Sequence, residues 1–147
     1  MENIKFYKIN EPFGEFSNFS PYGFFDDSGL YWPTSEHYFQ AQKFESKELS
    51  EKIRLLSNPM DAAIEGRNRM NPLKEDWEQI KQDVMFYAVE QKFNQNTVLK
   101  ELLLSTDHLE IIEHTINDGY WGDGGDGSGK NMLGKILMEV RDKLRMD

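Results

Sequence analysis

Three polar residues at helical spacing, Glu36, Gln40 and Lys43, are the first candidates for chemistry in this chain. At about 100° per residue they fall on one face of a helix. Most of the remaining helix surface is apolar, so the helix is expected to be buried and its polar stripe must face paired groups or a cavity. A carboxylate and an amine on such a face indicate a functional site. The alternative is an ordinary capped helix whose Glu and Lys are solvated.

The segment around these residues carries the start signals of a helix. Pro33 ends the preceding element, and Thr34 or Ser35 can accept hydrogen bonds from the first helical N–H groups. Glu36 then lies in the first turn, where the positive end of the helix dipole favours a carboxylate. We therefore predict a helix within the segment 32–44.

The composition limits the classes of protein to consider. The chain has 147 residues, 38% hydrophobic and 13% aromatic, which fits one folded domain over 1–147. Its net charge of −9 makes it a poor general binder of nucleic acid, and duplex binding is not expected. A small anionic substrate is still possible where basic side chains converge. The chain has no cysteine, which excludes disulfides, thiolate catalysis and cysteine-ligated metals.

No segment indicates a membrane protein. The N-terminus does not read as a signal peptide, and no run reaches the ~20 apolar residues that span a bilayer. We expect a cytoplasmic protein without membrane association, and the sequence does not indicate its oligomeric state.

Hydrophobic periodicity predicts an α+β fold, predominantly helical, with a small β-sheet in a single domain. Strands are predicted at 4–9 and 109–115, with a hairpin at 23–32. Besides the helix within 32–44, helices are predicted at 46–56, 60–65, 77–93, 96–105 and 133–144. Trp77 begins the longest helix, in a stripe with Ile80, Val84, Tyr87, Ala88 and Gln91. Its ring could face a cleft, although most tryptophans at such spacing belong to the core.

Two other segments carry candidate binding residues. Ser17 and Asn18 lie between two phenylalanines and suit ligand hydrogen bonding from a loop; alternatively, they form a turn that satisfies its own backbone. Arg67 and Arg69 follow a helix stop and could clamp a phosphate, because guanidinium binds phosphate in bidentate fashion. The alternative is two solvated side chains, whether or not surface carboxylates pair with them.

The glycine-rich segment 117–131 follows a predicted strand and precedes a helix, an order that can present backbone N–H groups to a phosphate. It has neither P-loop nor EF-hand spacing. A flexible surface loop is the alternative, but Tyr120 and Trp121 argue against it because large aromatic side chains are costly to expose. The three histidines offer no metal-binding pair, and neither a metal nor another cofactor is expected.

Three blocks in this order closely resemble the NADAR family, the YbiA-like N-glycosidases. In chain order they are the Phe-Ser-Asn-Phe stretch at 16–19, the segment from Trp32 to Phe44, and Asn-Asp-Gly-Tyr-Trp-Gly-Asp-Gly-Gly at 117–125. The resemblance implies hydrolysis of the N-glycosidic bond in phosphorylated ribosylamino-pyrimidines, reactive intermediates of riboflavin biosynthesis, with release of ribose 5-phosphate. Other members of the wider family remove ADP-ribose from guanine bases. By motif, Glu36 matches the essential glutamate of the family, Trp77 its tryptophan before the long helix, and Asp118 with Trp121 its late acidic-aromatic block.

The chemistry suggests roles for these residues. N-glycoside cleavage passes through an oxocarbenium-like state, so Glu36 or Asp118 could stabilise positive charge or activate water. Lys43 could bind phosphate or, as a neutral amine, attack the anomeric carbon and form a Schiff base. The remaining predicted substrate-binding residues are Ser17, Asn18, Arg67, Arg69, Trp77, Trp121, Asp123 and Gly124.

Three functional hypotheses follow. The first is an N-glycosidase acting on a small phosphorylated ribosylamine. The second is an ADP-ribose hydrolase acting on a modified guanine base. The third is a non-catalytic module that binds ADP-ribose or an NAD-like ligand.

Overall fold

The computed structural model describes residues 2–147, within which the chain forms four short strands, six α-helices and a 3₁₀ turn at Gly14–Phe16. The strands are β1 (Asn3–Phe6), β2 (Phe24–Phe25), β3 (Tyr31–Trp32) and β4 (Glu110–Glu113). The helices are α1 (Ser35–Ala41), α2 (Lys47–Arg54), α3 (Pro59–Gly66), α4 (Trp77–Gln95), α5 (Thr97–Leu104) and α6 (Met132–Arg145). In the described part of the chain, no helix combines the length and apolar character needed to cross a membrane.

The chain divides into two compact units, the first comprising residues 2–20 and Phe93–Asp147 and the second Pro21–Lys92. In the first unit β1 pairs with β4 in parallel, with Ile4 opposite Ile111. Helix α6 packs on β4 and on α5. The rings of Phe6 and Phe93 both meet Phe16 edge to face, with ring centroids 5.8 and 5.7 Å apart, and close the core.

The second unit joins the β2–β3 hairpin to helices α1, α2 and α3. The hairpin is antiparallel, and the Asp26 carboxylate accepts hydrogen bonds from the backbone of Ser28 and Leu30 and from the Trp32 indole. Helix α1 packs against both α2 and α3. The buried core of this unit consists of Phe24, Trp32, Ala41, Phe44, Ile53, Ala62 and Ala88.

The predicted elements are present, but several are shorter than expected. The helix predicted within 32–44 ends at Ala41, because Phe44 forms an antiparallel bridge with Leu73 and the Lys74 N–H donates to the Lys43 carbonyl over 2.8 Å. Lys43 therefore lies in the turn after α1. The predicted strands at 4–9 and 109–115 shorten to β1 and β4, and they pair with each other, while the hairpin forms a separate sheet.

Helix α4 is buried over a wider surface than the predicted stripe. Trp77 and Ala88 are buried as expected, while Ile80, Val84, Tyr87 and Gln91 are only half-buried. The helix also buries Met85, Val89, Lys92 and Phe93. A helix packed on more than one side does not keep a single apolar face.

Candidate active site

Helix α1 fixes the position of Glu36. Thr34 is extended and caps the helix, its hydroxyl accepting from the His37 N–H over 3.1 Å. Glu36 is in the first turn and only 7% exposed. One of its carboxylate oxygens, Oε2, accepts a hydrogen bond of 2.6 Å from the Gln40 side-chain amide. Of the three residues predicted to share one buried helical face, Glu36 and Gln40 do so, whereas Lys43 lies beyond the end of α1 and is half-buried.

His37 anchors this helix through both of its ring nitrogens. Its Nε2 lies 3.0 Å from the Leu56 carbonyl, which can only accept, so Nε2 carries the proton. Its Nδ1 then accepts from the Thr34 hydroxyl over 2.8 Å. Burial lowers the pKa of His37, which favours this neutral, fully bonded ring.

Lys43 extends its amine towards the C-terminal end of α3. The Nζ atom donates to the Gly66 carbonyl over 3.4 Å and lies 5.7 Å from the centroid of the Phe39 ring. Burial lowers the pKa of the amine, the negative charge of Glu36 opposes that shift, and the positive charges of Arg67 and Arg69 reinforce it. Lys43 is thus within electrostatic reach of two carboxylates, those of Glu36 and Glu78, and of two guanidinium groups.

The two arginines follow α3 and reach into solvent. Arg67 is the C-cap residue of α3, and both Arg67 and Arg69 are exposed. Within residues 2–147 no carboxylate lies close enough to either guanidinium to form an ion pair. Both side chains are solvated, as the alternative to phosphate binding has it, but neither is paired with a surface carboxylate in the described chain. The cluster that they form with Lys43 carries excess positive charge in an acidic protein.

Trp77 lies in the core of the second unit. It is 5% exposed, and its ring packs at 59° against Phe39 with centroids 5.1 Å apart. Phe39 is also the ring beneath the Lys43 amine. Trp77 therefore supports the helix that carries Glu36, while its role in substrate binding stays a prediction.

In the first unit, Asp118 organises the start of the glycine-rich loop. Its Oδ1 accepts from the backbone N–H groups of Tyr120 and Trp121 over 2.9 and 2.8 Å. The Trp121 ring is half-buried and meets Tyr120 edge to face at 4.8 Å. The loop is therefore a structured turn with packed aromatic rings. The catalytic role of Asp118 and the binding role of Trp121 stay predictions.

Asp123 is the central acceptor of this loop. It is 4% exposed, and its carboxylate accepts from the backbone of Thr115 and Gly125 and lies 2.7 Å from His114 Nδ1. Burial favours the neutral acid, but the hydrogen bonds from His114, Gly125 and Thr115 outweigh it and hold the pKa of Asp123 below its usual range. These contacts give Asp123 a structural task, and substrate binding by Asp123 stays a prediction.

The backbone N–H groups at the start of α6 are bonded within the loop. Met132 donates to the Tyr120 carbonyl and Leu133 to the Trp121 carbonyl, each over 3.0 Å. Gly129 and Lys130 likewise donate to the carbonyls of Asp123 and Gly119. Because these donors are used internally, they are not presented to a phosphate as the order of strand, loop and helix indicated. Gly124 has a φ of +74°, which a turn can require of glycine, and its binding role stays a prediction.

Ser17 and Asn18 follow the 3₁₀ turn of the first unit and are buried. The Ser17 hydroxyl accepts from the Phe19 N–H over 3.1 Å, and its carbonyl accepts from the Ser20 hydroxyl. Ser17 thus forms the self-satisfied turn that was the alternative to ligand binding. The binding roles of both residues stay predictions.

Residues 2–147 contain no group of three or more His, Asp and Glu side chains placed to hold a metal ion. The structure gives a contact to Gln40, which the sequence interpretation placed on the polar face without a role of its own, and it adds Gly66, which that interpretation left out of the site. The spacing of four residues between Glu36 and Gln40 was a signal for the first. For Gly66 the sequence showed only a helix end.

Taken together, a buried carboxylate, a partly desolvated amine and two arginines without ion-pair partners form a candidate site for a small anionic molecule. Comparison with known proteins then gives the family. The sequence model of the NADAR domain matches residues 5–145, across both units, and the chain therefore belongs to the NADAR domain family.

Curated and solved relatives agree with this assignment. The chain is 51% identical to the N-glycosidase YbiA of Shigella boydii, over 98% of this chain and 89% of the relative. It is 44% identical to the riboflavin biosynthesis protein VVA0006 of Vibrio vulnificus, over 97% of this chain and 38% of that longer protein. The NMR structure of the E. coli protein YbiA matches with a TM-score of 0.91 at 49% identity, over 99% of this chain and 87% of that one.

These comparisons confirm the predicted family and the predicted helix-dominated, YbiA-like α+β fold. They also confirm the predicted enzyme class, an N-glycosidase. The organisation as a single domain stays a prediction.

Proposed function

We propose that this N-glycosidase hydrolyses phosphorylated ribosylamino-pyrimidine intermediates of riboflavin biosynthesis and releases ribose 5-phosphate. The observation that carries the proposal is the buried Glu36 carboxylate beside the cationic cluster of Lys43, Arg67 and Arg69. A ribosylamine phosphate needs both features, a carboxylate for the sugar and cations for the phosphate. The name of the Vibrio vulnificus relative, a riboflavin biosynthesis protein, is consistent with this substrate class.

Glu36 is the group best placed to act on the sugar. As the C1–N bond breaks, positive charge develops on the sugar ring, and a carboxylate held in a poorly solvated position stabilises that charge strongly. The same carboxylate can take a proton from the water that attacks C1, while the departing amine gains a proton. Its burial and its hydrogen bond from Gln40 hold the group in place before substrate arrives.

Lys43 has two proposed roles in the reaction. In the first, its ammonium binds the phosphate. In the second, its neutral amine attacks C1, the aminopyrimidine leaves with a proton, and the open-chain Schiff base is then hydrolysed to ribose 5-phosphate. The lowered pKa of the amine supports the second role because it increases the neutral fraction at a given pH. Reduction with borohydride during turnover distinguishes them, since only a Schiff base leaves a sugar phosphate covalently attached to Lys43.

Arg67 and Arg69 are proposed to bind the phosphate. Their guanidinium groups are exposed and have no ion-pair partner in the described chain, so they can make bidentate contacts without first breaking a bond within the protein. Asp118 remains a proposed contributor to charge stabilisation or water activation, and Trp77 and Trp121 remain proposed to bind the substrate by stacking on the pyrimidine.

A second candidate substrate is an ADP-ribosylated guanine base. Two exposed arginines in addition to Lys43 provide enough cationic groups for a diphosphate. Binding of an ADP-ribose or NAD-like ligand without turnover is the remaining outcome of the test. The cytoplasmic location stays a prediction.

The test is a turnover assay with freshly generated ribosylamino-pyrimidine phosphate. We expect equal amounts of ribose 5-phosphate and free pyrimidine to appear with wild-type protein, and much slower release from the dephosphorylated ribosylamine. The dephosphorylated compound isolates the contribution of the cationic cluster.

Absence of release from the phosphorylated substrate, with folded protein, would overturn the proposal. Release of ADP-ribose from modified guanine in the same preparation would then select the second candidate. Equal rates with and without the phosphate would refute the role of Arg67 and Arg69 while leaving the enzyme class intact.

A further inference from the structure

The side-chain amide of Gln40 is buried and used on one side only. Gln40 is 4% exposed and donates from Nε2 to the Glu36 carboxylate over 2.6 Å. Its Oε1 is also buried but has no hydrogen-bond partner in the described structure. A buried acceptor left without a partner costs about 1–3 kcal/mol. The reversed amide would place Oε1 against the Glu36 carboxylate, so the contact with Glu36 sets this orientation.

The position of this amide is set by a glycine. Gly66, the last residue of α3, is buried, and a Cβ added to it would overlap Gln40 Oε1 and lie 2.6 Å from Gln40 Cδ. The amide therefore lies against the backbone of α3 in space that only glycine leaves open. The carbonyl of the same Gly66 accepts the hydrogen bond from Lys43 Nζ.

We propose that Gln40 is a positioning residue for Glu36 and that Gly66 leaves the space in which the Gln40 amide is held. The inference rests on the proposed role of Glu36 in the reaction. A glutamate side chain has three rotatable bonds, and ordering it costs conformational entropy. A fixed hydrogen-bond partner orders the side chain before the substrate binds, so that this cost does not add to the barrier of the reaction. Gln40, confined between Glu36 and Gly66, is that partner, and small misplacements of a reacting group are costly in rate.

The same arrangement couples the two candidate catalytic groups. Gly66 contacts the amide that holds Glu36 and also accepts from the Lys43 amine. A side chain at position 66 would displace the Gln40 amide and, through it, the carboxylate. The close approach between the end of α3 and the residues Gln40 and Lys43 therefore depends on the missing Cβ of Gly66.

The kinetic test is Gln40→Met, which keeps the length of the side chain and removes the donor. We expect kcat to fall about 10–100-fold with KM changed less than about threefold, because the group orients the reacting carboxylate and does not contact the phosphate. Gln79→Met, an exposed glutamine on α4, is the matched control and should keep wild-type kcat.

A double-mutant cycle tests whether Gly66 acts through its contact with Gln40. Gly66→Ala should lower kcat by about tenfold in the wild-type background but by less than about threefold in a Gln40→Ala background, where the closest overlaps are gone. Equal losses of kcat in both backgrounds would overturn the role of Gly66. Wild-type kcat in folded Gln40→Met would overturn the role of Gln40.

A measurement without substrate separates this inference from the proposed function. The Gln40 side-chain amide proton bonded to a carboxylate should give a downfield, slowly exchanging NMR signal that disappears in Glu36→Gln and in Gly66→Ala. If wild type releases no ribose 5-phosphate but this signal behaves as expected, the proposed function fails and the positioning contact stands. If the signal persists in Gly66→Ala, the positioning inference fails, whatever the activity.

Discussion

The cluster on α1 and the glycine-rich loop at 117–131 both concentrate polar residues, and both were predicted as parts of a site from sequence. In the loop, the polar groups satisfy one another: Asp123 alone binds two backbone N–H groups and His114. In the α1 cluster, Gln40 Oε1 has no partner and the two arginines form no ion pair in the described chain. The density of polar residues therefore does not identify a binding site. Hydrogen-bonding and ion-pairing capacity that the fold leaves unused is what makes the α1 cluster the candidate site.

Glycine serves the two regions differently. In the loop, Gly124, Gly125 and Gly127 have positive φ angles between 74° and 92°, so the backbone itself requires glycine. At Gly66 no such angle occurs, and the missing Cβ makes room for the Gln40 side chain. The first use stabilises a turn, and the second leaves room for the side chain that we propose positions Glu36.

The largest expected effect on stability is that of Asp123→Asn. The substitution replaces a buried charged acceptor of three hydrogen bonds, and hydrogen bonds to charged groups contribute about 1.5–3 kcal/mol each, so we expect a loss of roughly 2–4 kcal/mol by urea unfolding. Activity per folded molecule should change less than with Glu36→Gln. A variant as stable as wild type but inactive would show that the loop is a site and not only a support.

The same carboxylate predicts the acid dependence of stability. The pKa of Asp123 is lowered in the folded state, so its contribution is complete at neutral pH and is lost as pH falls through the folded pKa. The difference in unfolding free energy between wild type and Asp123→Asn should therefore shrink below about pH 4. A difference that stays constant down to pH 2 would contradict this account.

Next in size is the comparison of Gly125→Ala with Gly127→Ala. Both positions have φ near +90°, so both variants pay the backbone cost of about 1 kcal/mol. Only at Gly125 would the added Cβ also overlap Ile116 Cγ2, whereas nothing lies within 4 Å at Gly127. Thermal unfolding should therefore show the larger loss for Gly125→Ala, and equal losses would mean that the loop adjusts around Ile116.

A smaller effect is expected for the arginines. Arg67→Gln and Arg69→Gln should each raise KM for the phosphorylated substrate by about tenfold, or roughly 1.4 kcal/mol, without changing KM for the dephosphorylated one. Lys47→Gln, an exposed cation at the start of α2, is the control. A rise in KM for both substrates would place the arginines away from the phosphate.

The smallest effect concerns Lys43 at alkaline pH. Burial lowers its folded-state pKa, so between that value and the usual lysine pKa the unfolded chain binds more protons than the folded one. Stability of wild type relative to Lys43→Met should therefore rise with pH in this range. Urea unfolding of both proteins between pH 7 and 10 measures it, and a falling difference would contradict the lowered pKa.

Features of the fold that depend on residues close together in the chain were predicted from the sequence. The cap at Thr34, the buried face with Glu36 and Gln40, and the hairpin closed at Asp26 were all legible from residue type and spacing. The end of α1 at Ala41 was not, because it depends on the bridge between Phe44 and Leu73, nearly thirty positions along the chain. The parallel pairing of β1 with β4 is likewise a long-range contact.

The site was predictable in part for the same reason. Glu36 and Lys43 lie in one segment, so their spacing alone made them candidates. The contact of Gln40 with Gly66 instead requires α1 and α3 to pack together. The loop was interpreted from its glycine content, but where its N–H groups donate is fixed by its three-dimensional path. Composition indicated a phosphate loop, and the observed bonds describe a self-contained turn.

The most direct test of the account compares ribose 5-phosphate release by wild type, Glu36→Gln and Glu101→Gln. Glu101 is exposed on α5 and controls for loss of one negative charge. We predict a loss of at least about 100-fold in kcat for folded Glu36→Gln and wild-type kcat for Glu101→Gln. Folded Glu36→Gln that retains wild-type turnover would contradict the central claim that the buried carboxylate on α1 performs the chemistry.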